Sequence, residues 1–181
     1  KIPEEIVNEA IRKAPKSFVL CSRNGKHDLK IPADPLPYVG SNGIGTYMTD
    51  LITGQKRKTT RKDIADFARL ADALTGIDFF WSNVTAYDVP ERIHMVHALW
   101  VSLQNCTKNY GTLTLSAEDA KAQIELGSLM AGGKEELRKR PIFHSLCCVV
   151  APLSFEKGAV EGQVELARAG IPIISMSMSL G

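Results

Sequence analysis

Residues 141–181, PIFHSLCCVVAPLSFEKGAVEGQVELARAGIPIISMSMSLG, decide the fold. Pro141–Val150 carries no charge and, between Arg140 and the turn at Pro152, reads as a strand buried on both faces. Glu156–Ala169 reads as a helix ended by Gly170, and Ile171–Ser179 is a second continuous strand. Strand, helix and strand in this order make a parallel βαβ unit, because parallel strands need a crossover connection.

The same rhythm extends backwards. Thr60 with Asp63 starts a helix whose stripe is Ile64, Phe67, Ala68, Ala71 and Leu74, and Gly76 ends it. Asp78–Trp81 is a short buried strand leading into the loop Ser82–Pro90. A helix over about Glu91–Cys106 places Ile93, Val96, Trp100 and Leu103 on one face, and Gly111–Leu115 is the next strand. Ser116 with Glu118 and Asp119 starts a third helix carrying Ala120, Ile124 and Met130, interrupted at Gly132-Gly133 before the basic segment Lys134–Arg140.

From residue 60 on, four parallel strands are therefore expected. An open doubly wound sheet and a closed (β/α)8 TIM barrel both satisfy the pattern, but a barrel needs eight strands and ~250 residues. Residues 60–181 thus read as a compact open sheet or as the first half of a barrel. A half barrel leaves raw edges and an apolar face that further chain or a homo-oligomer must cover. Residues 1–59 read as a separate element. A helix from Pro3 to Ala14 precedes a hairpin, Ser17–Ser22 and His27–Ile31 about the turn Arg23-Asn24-Gly25-Lys26. Pro32, Pro35 and Pro37 then force an extended connection. Glycine-dotted Gly40–Asp50 is turned back by Leu51–Gly54 into Gln55–Thr59.

Composition agrees with a globular α/β chain. Among 181 residues, 22 Lys and Arg face 20 Asp and Glu, and 44% are hydrophobic. That balance argues against disorder, collagen-like repeats, a disulfide scaffold and a dedicated nucleic-acid binder. No run approaches the ~18–20 apolar residues that span a bilayer, and the N-terminus has no apolar signal region. Adjacent Cys147 and Cys148 are poorly placed to join each other, and Cys21 and Cys106 show no zinc spacing. Free thiols in a reducing cytoplasm are expected. A start at Lys1 and a stop at Gly181 read as the ends of a fragment.

Motifs for chemistry are sparse. Gly40-Ser41-Asn42-Gly43-Ile44-Gly45 is not in dinucleotide-loop order and reads as a loop whose backbone approaches something closely. His94 and His97 share a helix face without a third ligand, and His144 reads as a hydrogen-bonded core or barrel-lining residue. Cys147, Cys148, Ser175, Ser177 and Ser179 lack a nucleophile elbow, and no acid–base dyad has recognisable spacing. Topology selects the carboxyl ends of the strands: Ser82, Asn83, Tyr87 and Asp88, then Ser116, Ala151–Ser154 and Ser177–Gly181. Asn105 and Lys108 belong to the opposite, stabilising end.

Several segments in order resemble one family. Leu51-Ile52-Thr53-Gly54 with the basic Gln55–Lys58, Asp63-Ile64-Ala65-Asp66 and Ala68-Arg69-Leu70-Ala71-Asp72 resemble the trimethylamine methyltransferase (MttB) superfamily. So do Asn105-Cys106-Thr107-Lys108, Arg140-Pro141-Ile142-Phe143, Pro152-Leu153, Ala167–Pro172 and Ser175-Met176. The resemblance implies a TIM-barrel methyltransferase moving a methyl group from a methylamine or quaternary amine, such as trimethylamine or glycine betaine, to the Co(I) corrinoid of a partner protein. The cobalamin-type cofactor belongs to that corrinoid protein and none is held directly. Founding members use pyrrolysine, at a position that the resemblance places beyond Gly181. Such chemistry requires only that the methyl be positioned and the cation stabilised, a task suited to aromatic faces. Trp81 and Tyr87 are the expected cation contacts, and Asn83, Gly43 and Gly45 further substrate contacts. Competing readings are an unrelated barrel lyase or aldolase and an inactive scaffold.

Overall fold

The computed structural model describes residues 2–149 and 155–177, with side chains described outside 147–149 and 175–177. Residues 150–154 and 178–181, with the ends of the strands expected to reach Val150 and Ser179, therefore lie outside the described residues, as do the side chains of Cys147, Cys148, Ser175 and Ser177.

Thirteen helical residues of α2, Arg61–Ala73, begin at Thr60, whose amide donates to Asp63 Oδ2 at 2.8 Å. Strand β5, Phe80–Trp81, follows, and then a 3-10 turn at Glu91–Ile93 leads into α3, His94–Asn105. After β6, Tyr110–Leu113, comes α4, Ala117–Ala131, where Ser116 Oγ accepts from Asp119 N at 3.1 Å and Gly132 caps the end at φ 89°. The basic segment forms its own short helix, α5, Lys134–Lys139. Strand β7, Phe143–Val149, α6, Lys157–Ala169, and β8, Ile173–Ser177, complete the pattern. The four strands pair in parallel in the order β5-β6-β7-β8. A parallel four-stranded sheet is thus present; the two-residue β5 is shorter than the expected Asp78–Trp81.

Period-two alternation sorts side chains between the two faces. Phe80, Tyr110 and Phe143 share one register row and face the helices, where Leu99, Leu103, Leu137 and Leu166 close a core. Each fully buried ring or leucine contributes about 1.5–3 kcal/mol. The next row, Trp81, Gly111 and His144, faces the other way, followed by Leu113, Leu146 and Ile174.

The β-rich residues before Thr60 do not form one block. The antiparallel hairpin of β1, Phe18–Leu20, and β2, Leu29–Ile31, lies at the amino ends of the strands. There Arg23 N donates to Thr107 O at 2.8 Å and Arg140 pairs with Asp28 at 2.8 Å. Its connection is longer than the expected four-residue turn, because Asp28 Oδ1 accepts from both the amide and the hydroxyl of Ser22 at 2.8 Å. The hairpin of β3, Tyr47–Thr49, and β4, Lys56–Lys58, lies at the opposite ends, where Tyr87 N donates to Thr59 O at 2.9 Å. Helix α1, Glu4–Lys13, buries none of its side chains. No helix among the described residues is long and apolar enough to cross a membrane.

Candidate functional site

Residues 40–45 run as a strap along the edge of β5 that does not pair with β6, with parallel bridges Gly40–Phe79 and Gly45–Val84. Ser41 Oγ accepts from Trp81 N at 2.9 Å and donates to Trp81 O at 2.7 Å, so one hydroxyl clips the strap to the strand end. Gly45 N donates to Asn83 O at 2.8 Å, and Asn83 Nδ2 donates to Asn42 O at 3.1 Å. A Cβ on Gly43 or Gly45 would stand 3.3 or 3.1 Å from Asn83 O, which accounts for two glycines facing one carbonyl. The strap is the close-approach loop expected from its glycines.

Between strap and sheet lies a hollow of about 470 Å³, lined by Ser41, Asn42, Ile44, Phe79, Trp81, Leu113, Leu146 and Ile174. Its walls are mainly apolar, with polar groups supplied by the strap, a composition typical of small-molecule sites. Trp81 reaches this hollow because β6 has no side chain beneath it. A Cβ on Gly111 would fall 2.2 Å from the Trp81 ring and 2.9 Å from His144 Nε2.

His144 packs behind this wall, its ring edge-on to Trp81 and Phe79 at centroid separations of 5.6 and 5.7 Å. It is 1% exposed, and burial pushes its pKa down to about 4. The expected buried, hydrogen-bonded histidine is present, and Asn109 is the partner that the linear pattern did not single out.

Of the residues expected to contact substrate, Trp81 lines the hollow, while Asn83, Gly43 and Gly45 meet one another beside it. Tyr87 stands apart, edge-on to His94 at 5.9 Å, with Lys58 Nζ 5.2 Å above its ring. His94 Nε2 lies 3.0 Å from Val89 O, and burial lowers the pKa of His97. Among the described residues no three His, Cys, Asp or Glu side chains converge as metal ligands. Cys21 and Cys106 are free and buried, and desolvation pushes the Cys106 thiol up to about 12. That protonation state makes Cys106 a poor nucleophile.

The family model described as trimethylamine methyltransferase (MTTB) matches residues 1–181. The chain is 33% identical over 180 residues to trimethylamine methyltransferase MttB of Desulfitobacterium hafniense, covering 99% of this chain and 36% of the relative. Identity to MttB of Methanosarcina thermophila is 33% over 187 residues, covering 100% of this chain and 39% of that protein. Glycine betaine methyltransferase of D. hafniense is 25% identical over 178 residues, covering 98% of this chain and 37% of that protein. The chain therefore spans well under half the length of these curated relatives. With its whole length matched by one family model, the chain belongs to the trimethylamine methyltransferase (MTTB) family.

Proposed function

We propose that this chain is an N-terminal portion of a cytoplasmic methyltransferase whose sheet is the first half of a (β/α)8 barrel. The enzyme moves a methyl group from a methylated amine, trimethylamine or a quaternary amine such as glycine betaine, to the Co(I) corrinoid of a partner protein. The observation that carries this reading is the apolar hollow at the carboxyl end of β5, with the Trp81 ring in its wall. An alkylammonium has apolar methyl groups and a diffuse positive charge, and an indole face beside aliphatic walls suits both.

The corrinoid is a co-substrate brought by another protein, and it supplies the nucleophile. The chain's own residues bind and orient. Trp81 holds the cation, the strap through Ser41 and Asn42 offers polar groups to a carboxylate on the substrate, and Leu113, Leu146 and Ile174 exclude water. Asn83, Gly43 and Gly45 keep the strap at its distance, and Tyr87 stands outside the hollow against His94. A quaternary ammonium leaves as a neutral amine, so no side chain has to deliver a proton.

The test is methyl transfer by the complete gene product to the reduced corrinoid protein, with a panel of tertiary and quaternary methylamines. Demethylation of at least one panel amine is expected. Failure with every amine, using a corrinoid protein shown to accept methyl groups, overturns the reading.

A further inference from the structure

The β3–β4 hairpin carries features that neither the core nor the hollow uses. At its tip, Leu51 and Ile52 are 95% and 94% exposed. They are held in a built turn. Asp50 Oδ1 accepts from Ile52 N at 3.1 Å, Thr53 N at 2.9 Å and Thr53 Oγ1 at 3.1 Å, while Gly54 N donates to Asp50 O at 2.9 Å.

The turn is also braced to the body. Arg57 donates to Asp50 Oδ2 at 3.3 Å and, through two nitrogens, to both oxygens of Asp63 at 2.8 Å in the first turn of α2. The Asp63 side chain is 5% exposed, and the Arg57 hydrogen bonds are the main reason its pKa falls to about 2. Arg57 and Met48 share the inner face of the hairpin, so Tyr47, Thr49, Lys56 and Lys58 share the outer one. Lys56 Nζ stands 4.7 Å above the Tyr47 ring, and among the described residues neither Lys56 nor Lys58 has a carboxylate within ion-pair distance.

A turn of this kind needs Asp, Thr and Gly at their places, and it accepts polar residues at the two central positions. Among the described residues these two aliphatic side chains belong to neither core cluster. They do suit binding, because the ordering cost of the loop is met before a partner arrives. Unpaired ammonium groups beside them select an acidic counterpart and speed its approach. The hairpin rises from the same strand ends as the mouth of the hollow, where Gly45 and Thr59 join the loop after β5.

We propose that the Leu51–Ile52 tip and the Tyr47–Lys56–Lys58 face form the docking surface for an acidic-faced protein partner. Resting on the function proposed above, that partner is the corrinoid protein. The tip enters an apolar cleft of the partner, and its carboxylates meet Lys56 and Lys58. A membrane anchor is the less suited occupant, because two aliphatic residues and two lysines fall short of the two strong signals that stable membrane attachment takes.

The test uses the complete gene product with two variants, the double Leu51→Ser/Ile52→Ser and the single Lys56→Glu. Affinity for the source organism's corrinoid protein is measured by titration at low and high salt, and methyl transfer to free cob(I)alamin is measured in parallel. Each variant is expected to weaken affinity about tenfold or more, with Lys56→Glu losing its effect at high salt and transfer to free cob(I)alamin unchanged. Wild-type affinity in both variants, or no binding by the unaltered enzyme, overturns the docking surface. Absence of methyl transfer to either acceptor counts against the function alone, since variant-sensitive affinity still supports docking. Co-sedimentation with phosphatidylglycerol vesicles, or self-association, that the variants abolish while corrinoid-protein affinity stays unchanged reassigns the surface and also overturns the proposal.

Discussion

His144 Nδ1 lies 2.7 Å from Asn109 Oδ1, and that contact fixes the state of the ring. The Asn109 amide nitrogen donates to Cys21 O at 2.9 Å and to Pro141 O at 3.0 Å, which leaves Oδ1 as the acceptor. Nδ1 therefore carries the proton. Nε2 presents a lone pair to the buried face beside Trp81, where no partner stands among the described residues.

Protonating Nε2 means charging a ring that has no acceptor there. The folded pKa is about 4, against the ordinary 6.5, so between these values the unfolded chain binds the extra proton. Stability is fully present above about pH 6.5 and falls as the pH drops towards about 4, by about 3 kcal/mol from this group. Denaturant unfolding across that window is expected to show the loss, and His144→Phe to flatten it relative to the native chain. An identical pH slope in the variant refutes the assignment.

Trp81→Ala is expected to weaken binding of a methylated amine to the complete enzyme by about 2- to 30-fold, the range for a cation over an aromatic face. Calorimetric titration of the complete enzyme with the amine reads this change directly. Binding and turnover unchanged by the alanine remove Trp81 from the site.

Gly111→Ala places a methyl group where the Trp81 ring already stands, 2.2 Å away. Overpacking of this kind costs about 1–3 kcal/mol, and relief requires Trp81 to move. A lower denaturation midpoint and an altered tryptophan emission are expected together.

Lys108 is 3% exposed and donates to Ala71 O, Leu74 O and Ile77 O at 2.7, 2.7 and 2.6 Å. Its ammonium closes the carboxyl end of α2, where the helix dipole favours a cation. Lys108→Met leaves those carbonyls without this donor and is expected to cost about 3 kcal/mol by urea unfolding. Methylamine affinity is expected to stay unchanged, since Lys108 precedes β6 and lies at the end opposite the hollow.

Much of this was legible beforehand. Ser116 and Gly132 mark α4, Gly170 ends α6, and the strand–helix order from Thr60 to the last strand predicts the parallel sheet that is observed. The burial of His144 and the placement of Lys108 followed from strand pattern and topology. The wider connection between β1 and β2 was not legible, because Asp28 answers to Arg140, 112 residues away.

The candidate site divides in the same way. Sequence alone marked Trp81, Asn83 and Tyr87 as lying near the strand's carboxyl end and the glycine loop only as a close approach to something, since side-chain periodicity and caps are local properties read within a turn or two. Only tertiary structure decided that the two hairpins take opposite ends of the sheet and that Tyr87 pairs with Lys58 rather than entering the hollow. It also decided that Gly111 makes room for the Trp81 ring. Those are contacts between residues far apart in the chain, and packing against close neighbours sets them, which no local pattern encodes.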